Sequence, residues 1–462
     1  MIISENTDLT AGNVQDWIAT FKNAPEQQPR LRKLGQYYDN KNPIVKKGAA
    51  KNRPNYSIHI GVASYITDVQ TGYFLGRGIE YDWKEKVNAD GNITEPNEFK
   101  DTLTEIFANN FEPEENYAIA NDMSCYGIAF EVVMIDDAIS SPDIKKKLRF
   151  TKLDPEETFL VTDNSVLHRP VCVINMYPSA EIRGVIRWKG YVYSKNQIIP
   201  FDLNGAAVEL KEPIDHQFKD IPVVIFKNNY DEIGDYEPVQ DQLDALALTF
   251  SNETDDLQSI ANAILAIYGA MATDEKEIDA INKNKVAKLP TDAKMEFVVK
   301  NVNIDAVKHH IDQNLDLIYQ ISKTPDLTDD KFSGQQSGVA MQYKLWGIEQ
   351  CRVTKARYFR RALYQRIKLL LQIISLAENR TIYDISQKID FIFYKNLPQN
   401  EMDIIDAAYK LQGLVSTRTL LEQIPFVNDV DLEIEELAKE KEAEAAAFAA
   451  YNETPENSDE DE

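Results

Sequence analysis

The residue types that carry chemistry are few in this sequence, and their spacing serves none of the common mechanisms. Five histidines occur, His59, His168, His216, His309 and His310, and none lies in an HExxH or comparable ligand spacing. His309 and His310 are adjacent on a helical stretch, so their side chains diverge by about 100°, which disfavours a shared metal. Cys125, Cys172 and Cys351 stand far apart with no CxxC pair, which suggests neither a zinc site nor a disulfide framework but a chain made in a reducing cytoplasm. The dipeptide Gly-Lys never occurs, which removes the phosphate-cradling GxxxxGK[ST] loop and with it a motor ATPase. Gly334-Gln335-Gln336-Ser337-Gly338 has the wrong spacing for a GxSxG nucleophile turn. Acid pairs such as Asp255 with Asp256 and Asp329 with Asp330 have the makings of a metal site acting on DNA, yet in a chain with 75 acids such pairs arise by chance. No catalytic residue, metal or cofactor is expected.

What the side chains can do is electrostatic. Fifty Lys and Arg stand against 75 Asp and Glu, a formal charge of -25 with a pI near 4.7. Such a chain cannot grip phosphate over its whole surface, because that needs clustered cations. A wall that DNA slides past, however, works better when it repels phosphate. Between Asn228 and Glu275 no Lys or Arg occurs, while eleven acids do, among them Asp241, Asp244, Glu253, Asp255 and Asp256. There Val239, Leu243, Leu246, Phe250, Leu257 and Ile264 fall on a 4-3-4-7-7 spacing, which predicts one long helix with a narrow apolar seam and an acidic far side. The opposite bias marks 352–368, where Arg352, Lys355, Arg357, Arg360, Arg361, Arg366 and Lys368 meet no acid. A third charged stretch, Arg30 to Arg53, has eight cations and one acid interleaved with Tyr37 and Tyr38; it reads either as a phosphate-touching arm or as an arm packed on an acidic neighbour.

The elements that hold these charges follow from periodicity. Helices are predicted at about 14–21, 55–73, 99–111 and 114–126, then short strands at 129–135, 158–161, 171–176, 185–193 and 223–226. After the acidic helix comes a strand at 296–300, then a second helix over 303–322 with a stripe of Ile304, Val307, Ile311, Leu315 and Ile318. The pair reads as an antiparallel hairpin with a small insert at its tip. Thr324 to Ser337 lacks apolar periodicity and must be a loop, and the helix starting at Gly338 runs on to about Ala377, roughly 60 Å at 1.5 Å per residue. A strand at 389–394 and helices at 401–412 and 416–423 follow, before a final stretch with twelve acids and two lysines that begins as helix and ends disordered. The fold class is α+β, mainly helical, with no signal peptide and no apolar run of membrane-spanning length.

Several strings, taken in order, resemble the portal proteins of long-tailed bacteriophages of Gram-positive hosts. They are Tyr37-Tyr38 with Lys51-Asn52-Arg53, Thr71-Gly72-Tyr73-Phe74-Leu75-Gly76, Asp241-Gln242-Leu243-Asp244-Ala245 with Ser251-Asn252-Glu253, Phe332-Ser333-Gly334-Gln335-Gln336-Ser337-Gly338-Val339-Ala340, Lys395-Asn396-Leu397-Pro398, and Gly413-Leu414-Val415-Ser416-Thr417 leading to Ile424-Pro425. The resemblance implies a wing over 1–232, stem helices over 233–265 and 302–323, a clip over 266–301, a tunnel loop over 324–337, a long wing helix over 338–379, a crown over 380–440 and an acidic, disordered tail over 441–462. It also implies a ring of about twelve copies, or about thirteen when isolated, at the portal vertex of a virion assembled in the host cytoplasm. Double-stranded DNA would pass through that ring. The terminase large subunit, a head-tail adaptor, the major capsid protein and scaffold would be its partners.

In that reading the five stem acids line the channel, and Asp329, Asp330, Lys331, Phe332, Ser333, Gly334, Gln335 and Gln336 face the DNA. Lys276, Lys283, Lys285 and Lys288 meet a partner at the clip, while Arg352, Lys355, Arg357, Arg360 and Arg361 offset repulsion between neighbouring subunits. The competing reading is a DNA-processing enzyme or minor capsid protein. A ring with an axial hole, against a monomer that cleaves DNA with divalent ions, separates the two.

Overall fold

The computed structural model describes residues 1–44, 55–84, 86–87, 93–95, 97, 99–182, 185–261, 264–268, 294–298, 304–327, 338–378, 388–396, 409–421, 424, 427 and 430–452. They divide into two compact units, Met1–Asn396 and Leu397–Glu462.

In the first unit, strand β1 (Ile2–Ser4) precedes helices α1 (Ala11–Asn23), α2 (Gln28–Tyr38) and α3 (Val62–Leu75). Thr10 caps α1 by accepting from the Asn13 N–H, and Pro29 sits in the first turn of α2, where a missing N–H costs little. Strands β2 (Glu80–Trp83), β3 (Lys86–Val87) and β4 (Ile93–Glu95) lead to α4 (Lys100–Asn109) and α5 (Glu112–Tyr126). Then come β5 (Ile128–Ile135), the single turn α6 (Ile144–Lys147) and strands β6 (Leu148–Leu153), β7 (Thr158–Asp163), β8 (Pro170–Ile182), β9 (Val185–Ser194), β10 (Gln197–Asn204), β11 (Ala207–Leu210), β12 (Ile214–Asp215) and β13 (Val223–Lys227). Gly127 turns α5 into β5 at φ +83°; a Cβ there would stand 2.0 Å from the Glu232 carbonyl oxygen, so both the conformation and the close approach require glycine.

Ten of these strands form two sheets stacked face to face, while β3 pairs only with β4. The larger has the order β1-β7-β8-β9-β10-β11, with β12 also on β10; the smaller is β13-β5-β6. Alternation along β7 shows the layering. Phe159 and Val161 pack against Val14, Trp17, Ile18 and Phe21 of α1, with Phe21 and Phe159 stacked at 4.4 Å, while Leu160 points the other way, onto Phe130, Val132 and Val223 of the smaller sheet.

The chain then runs through α7 (Gln240–Ala261), β14 (Ile264–Tyr268), β15 (Lys294–Val298), α8 (Ile304–Ser322), α9 (Gly338–Lys344), α10 (Trp346–Glu378) and β16 (Ile389–Ile392). The far face of the smaller sheet receives α10: Ala129, Val133, Val224 and Phe226 share a core with Phe359, Leu363, Ile367 and Leu370. In the second unit are α11 (Thr417–Leu421), whose preceding Ser416 hydroxyl accepts from the Thr419 N–H at 3.3 Å, and α12 (Val430–Asn452).

Several elements depart from the sequence-based expectations, among them the helix expected over 55–73, which begins only at Val62. The acidic helix stops at Ala261 rather than running through Ile264, because Ile264–Tyr268 pairs antiparallel with Lys294–Val298. A five-residue apolar run does not distinguish strand from helix by itself, and the distant partner strand decides it. The long helix is interrupted at Leu345, dividing α9 from α10. Strand β16 belongs to the first unit, through its antiparallel pairing with β2, although the crown was expected to begin at 380. Finally α12 extends to Asn452, well into the tail expected to be disordered from 441, since the alanine-rich run there has the highest helix propensity available.

A buried ionic network fixes α10 to the smaller sheet. Arg366, with no exposed surface, donates to both carboxylate oxygens of Glu131 at 2.8 and 2.7 Å and to Asn116 at 2.8 Å. Glu112 lies 3.7 Å away and accepts from Tyr81 and Asn116. Such a pair is costly to desolvate but far more costly to break, so Arg366→Met should lower stability by roughly 3–5 kcal/mol in chemical denaturation, with Arg366→Met/Glu131→Leu recovering more than half of the loss. Near this network, burial pushes the Asp122 carboxyl up to about 6 against the pull of Lys152 at 2.9 Å. A carboxyl raised on folding stabilises fully below its unfolded value near 3.9 and loses that contribution as pH rises through about 6. Thermal melts of Asp122→Asn should therefore lack about 1–2 kcal/mol of the wild-type decline between pH 4 and 7.

Candidate functional site

The acidic hairpin is built from one apolar seam. Leu243 and Leu246 of α7 are buried with Val239, Ile318, Leu34, Tyr37 and Ile66, and Phe250, Ile311 and Leu315 pack against that cluster. Because Ile318 near the end of α8 meets the start of α7, and Asn314 donates to the Gln242 carbonyl at 3.1 Å, the two helices run antiparallel, and β14 with β15 follow at the other end. Toward that end the seam opens to solvent, with Leu257 59% and Ile304 66% exposed.

Of the predicted channel acids, Asp241 and Asp256 lie on the side away from this seam, Glu253, seven residues after Leu246, lies at its edge, and Asp244 and Asp255 are turned onto neighbouring chain segments. Asp241 is exposed, and Glu253, Asp255 and Asp256 are half-buried. Asp244 accepts from the Tyr37 hydroxyl at 2.7 Å and from Asn42 at 3.4 Å, and Asp255 accepts from the Tyr56 N–H at 2.8 Å. Burial, then the Asp244 hydrogen bond, hold the Tyr37 hydroxyl well above its ordinary value, so it remains a donor to that carboxylate. Part of the acidic face thus serves to order the chain segments on either side of 45–54, which lie outside the described residues.

The base of the hairpin is clamped by charge. Arg30 on α2 holds the Glu237 carboxylate at 2.6 and 2.5 Å and the Glu232 carbonyl at 2.8 Å. The first nine residues of the stretch expected to be a basic arm, 30–38, therefore belong to the internal helix α2, with Leu31, Leu34 and Tyr37 buried and Arg32 paired to Glu157 at 2.7 Å. Just before α7, Asp235 accepts from the buried Lys355 ammonium, from Ser124 and, at 2.9 Å, from Asn228.

That clamp reassigns the long helix. Of the five cations expected between subunits, three are engaged within the chain. Lys355 is buried on Asp235, Arg352 binds Glu349 at 2.7 Å and the Phe393 carbonyl at 2.8 Å, and Arg360 binds the Phe391 carbonyl at 2.7 Å with Asp390 at 3.5 Å. Periodicity could not reveal this, because their partners come from distant segments. Arg357 and Arg361 are exposed.

The tunnel-loop residues Asp329, Asp330, Lys331, Phe332, Ser333, Gly334, Gln335 and Gln336, and the clip lysines Lys276, Lys283, Lys285 and Lys288, lie outside the described residues. The start of that loop is described and is tied to α3. The Tyr65 hydroxyl donates to the Pro325 carbonyl and accepts from the Leu327 N–H, both at 3.0 Å, and Gln70 donates to the Ser322 carbonyl at 3.3 Å and to the Thr324 hydroxyl at 3.1 Å. Tyr65 falls within the helix expected over 55–73, and helical periodicity carries no sign of its hydroxyl contacts. Among the described residues no group of His, Cys, Asp or Glu could hold a metal ion, and no helix is long and apolar enough to cross a membrane.

An acid-sided helical hairpin followed by a loop and a long basic helix invites comparison with known proteins. The family described as "Phage portal protein, SPP1 Gp6-like" matches residues 20–447. The chain belongs to this phage portal family. The portal protein of Clostridium phage phiCD119 is 23% identical over 426 residues, covering 86% of this chain and 89% of that protein. The portal protein of Bacillus phage SPP1 is 18% identical over 432 residues, covering 88% of this chain and 80% of that protein. As a portal protein the chain is a structural component of a virion and not an enzyme, and its mixed α+β fold accords with the family.

The portal hairpin and its loop meet at α3, which makes Tyr65 the testable residue. Tyr65→Phe removes two hydrogen bonds to the start of the loop, and hydrogen exchange at the Leu327 amide should accelerate about tenfold or more with the melting temperature little changed.

Proposed function

We propose that about twelve copies form a ring around an axial channel wide enough for duplex DNA, at one vertex of the capsid. The observation that carries this reading is the acidic hairpin itself: α7 carries five acids and no cation, with its apolar seam turned onto α8, α2 and α3 and an acidic face running past Asp241 and Asp256. Ringed copies of such a face give a wall of one sign, along which DNA slides without the counterion-releasing contacts that would hold it. Residues 1–232 with 338–379 form the wing, α7 and α8 lie in the stem segments 233–265 and 302–323, and β14 and β15 open and close the clip segment 266–301.

DNA enters through this ring during packaging and leaves through it at ejection. The clip lysines serve the terminase large subunit first and a head-tail adaptor later, while capsid and scaffold proteins meet the wing. Within the tunnel loop, Lys331 is the phosphate-facing residue, making weak and exchangeable contacts; the bland alternative is a lysine paired to Asp329 or Asp330.

Negative-stain microscopy of the purified chain should show rings with a central hole, and a monomer without a pore overturns the reading. For the loop, Lys331→Ala phage should package or retain DNA less well, with filled-particle counts reduced by about tenfold. Wild-type filling would remove Lys331 from the role.

A further inference from the structure

The two unengaged cations of α10 belong to a longer pattern. Trp346, Gln350, Arg357, Arg361 and Lys368 are all exposed and fall on one stripe, opposite the buried face of Phe359, Leu363, Arg366 and Leu370. Trp346 is 63% exposed, a large apolar surface beside cations. On α8, Asp305, Asp312 and Asp316 are exposed and share a stripe turned away from Ile311, Leu315 and Ile318. Arg357, Arg361 and Lys368 are separated by four and seven residues; Asp316, Asp312 and Asp305, counted backwards, are separated by the same steps. With a rise of about 1.5 Å per residue, an antiparallel approach sets each cation opposite an aspartate, about 6 Å and then about 10 Å apart.

Within one chain the stripes do not meet. Among the described residues no ion pair joins them, Arg357 and Arg361 have no carboxylate partner, and Lys368 has only the half-exposed Asp220 at 3.5 Å. A closed ring needs two different, complementary patches on each copy, one for either neighbour. We propose that the α10 stripe of one subunit docks on the α8 stripe of the next, Arg357 to Asp316 and Arg361 to Asp312, with Trp346 covered at the edge of the contact. The inference rests on the ring reading and names the surfaces that make it. It also explains how copies carrying -25 each stand side by side: repulsion is locally reversed where they touch. Lys308, four residues before Asp312, is a cation near the acidic stripe and does not share its repeat.

The test is a charge swap in the full-length chain, read by native mass spectrometry and negative stain at low salt. Arg357→Asp/Arg361→Asp should reduce the ring fraction by about tenfold or more, with an unchanged circular dichroism spectrum. Adding Asp312→Arg/Asp316→Arg to the same chain should restore rings. Should the reversal disturb folding, Arg357→Gln/Arg361→Gln gives the milder form, with rings that fall apart at lower salt than wild type. Rings that persist through the reversal overturn the proposal. So does loss without rescue by the swap, which would leave the ring reading intact and give the basic stripe another occupant. Normal rings that package DNA poorly would assign the stripe to phosphate instead. A wild-type chain that forms no ring would sink the portal-channel reading first and this contact with it.

Discussion

A buried ammonium against a buried carboxylate joins the parts of the first unit. Lys355 in the long helix α10 and Asp235 in the turn before α7 are both nearly inaccessible, and Ser124 at the end of α5 completes the set. Neither charge is tolerable in that place alone, so the pair is held only where the helix, the turn and α5 are positioned together. The acidic hairpin therefore leaves the sheet layers at a set place, with Arg30 and Glu237 as a second, more exposed strut.

This arrangement shows how a strongly anionic chain places its scarce cations. Arg366, Lys355 and Arg30 sit at junctions between elements, where each meets a carboxylate that would otherwise be buried or crowded. Among the acids of α7, Asp244 and Asp255 order neighbouring segments. Internal cohesion is thus concentrated around α10 and α5, while negative charge is displaced to the hairpin. The segregation suits a protein that must be rigid where subunits pack and unattractive to phosphate where DNA passes.

The contacts of α3 extend the same frame toward the loop that follows α8. Tyr65 and Gln70 reach chain segments more than 250 residues away in sequence through side-chain hydrogen bonds to backbone and hydroxyl groups. A loop whose first residues are held this way has a fixed point of departure. Its proposed meeting with DNA depends on that point as much as on the loop's own residues.

Much of the framework was legible in the residues alone. The stripe of Ile311, Leu315 and Ile318 marked α8, runs rich in β-branched and aromatic residues marked the central strands, and the missing cations between 228 and 275 marked the acidic stretch. These are local signals, since periodicity states which face of an element is apolar and composition states the sign of its charge. Where α7 ends, which cations of α10 are buried, and what Tyr65 binds were decided only by tertiary structure. Each depends on a group far along the chain, Lys294–Val298 for the first, Asp235 and Phe391 for the second, Pro325 and Leu327 for the third, and a polar partner at such separation leaves no mark in the spacing of its own neighbours.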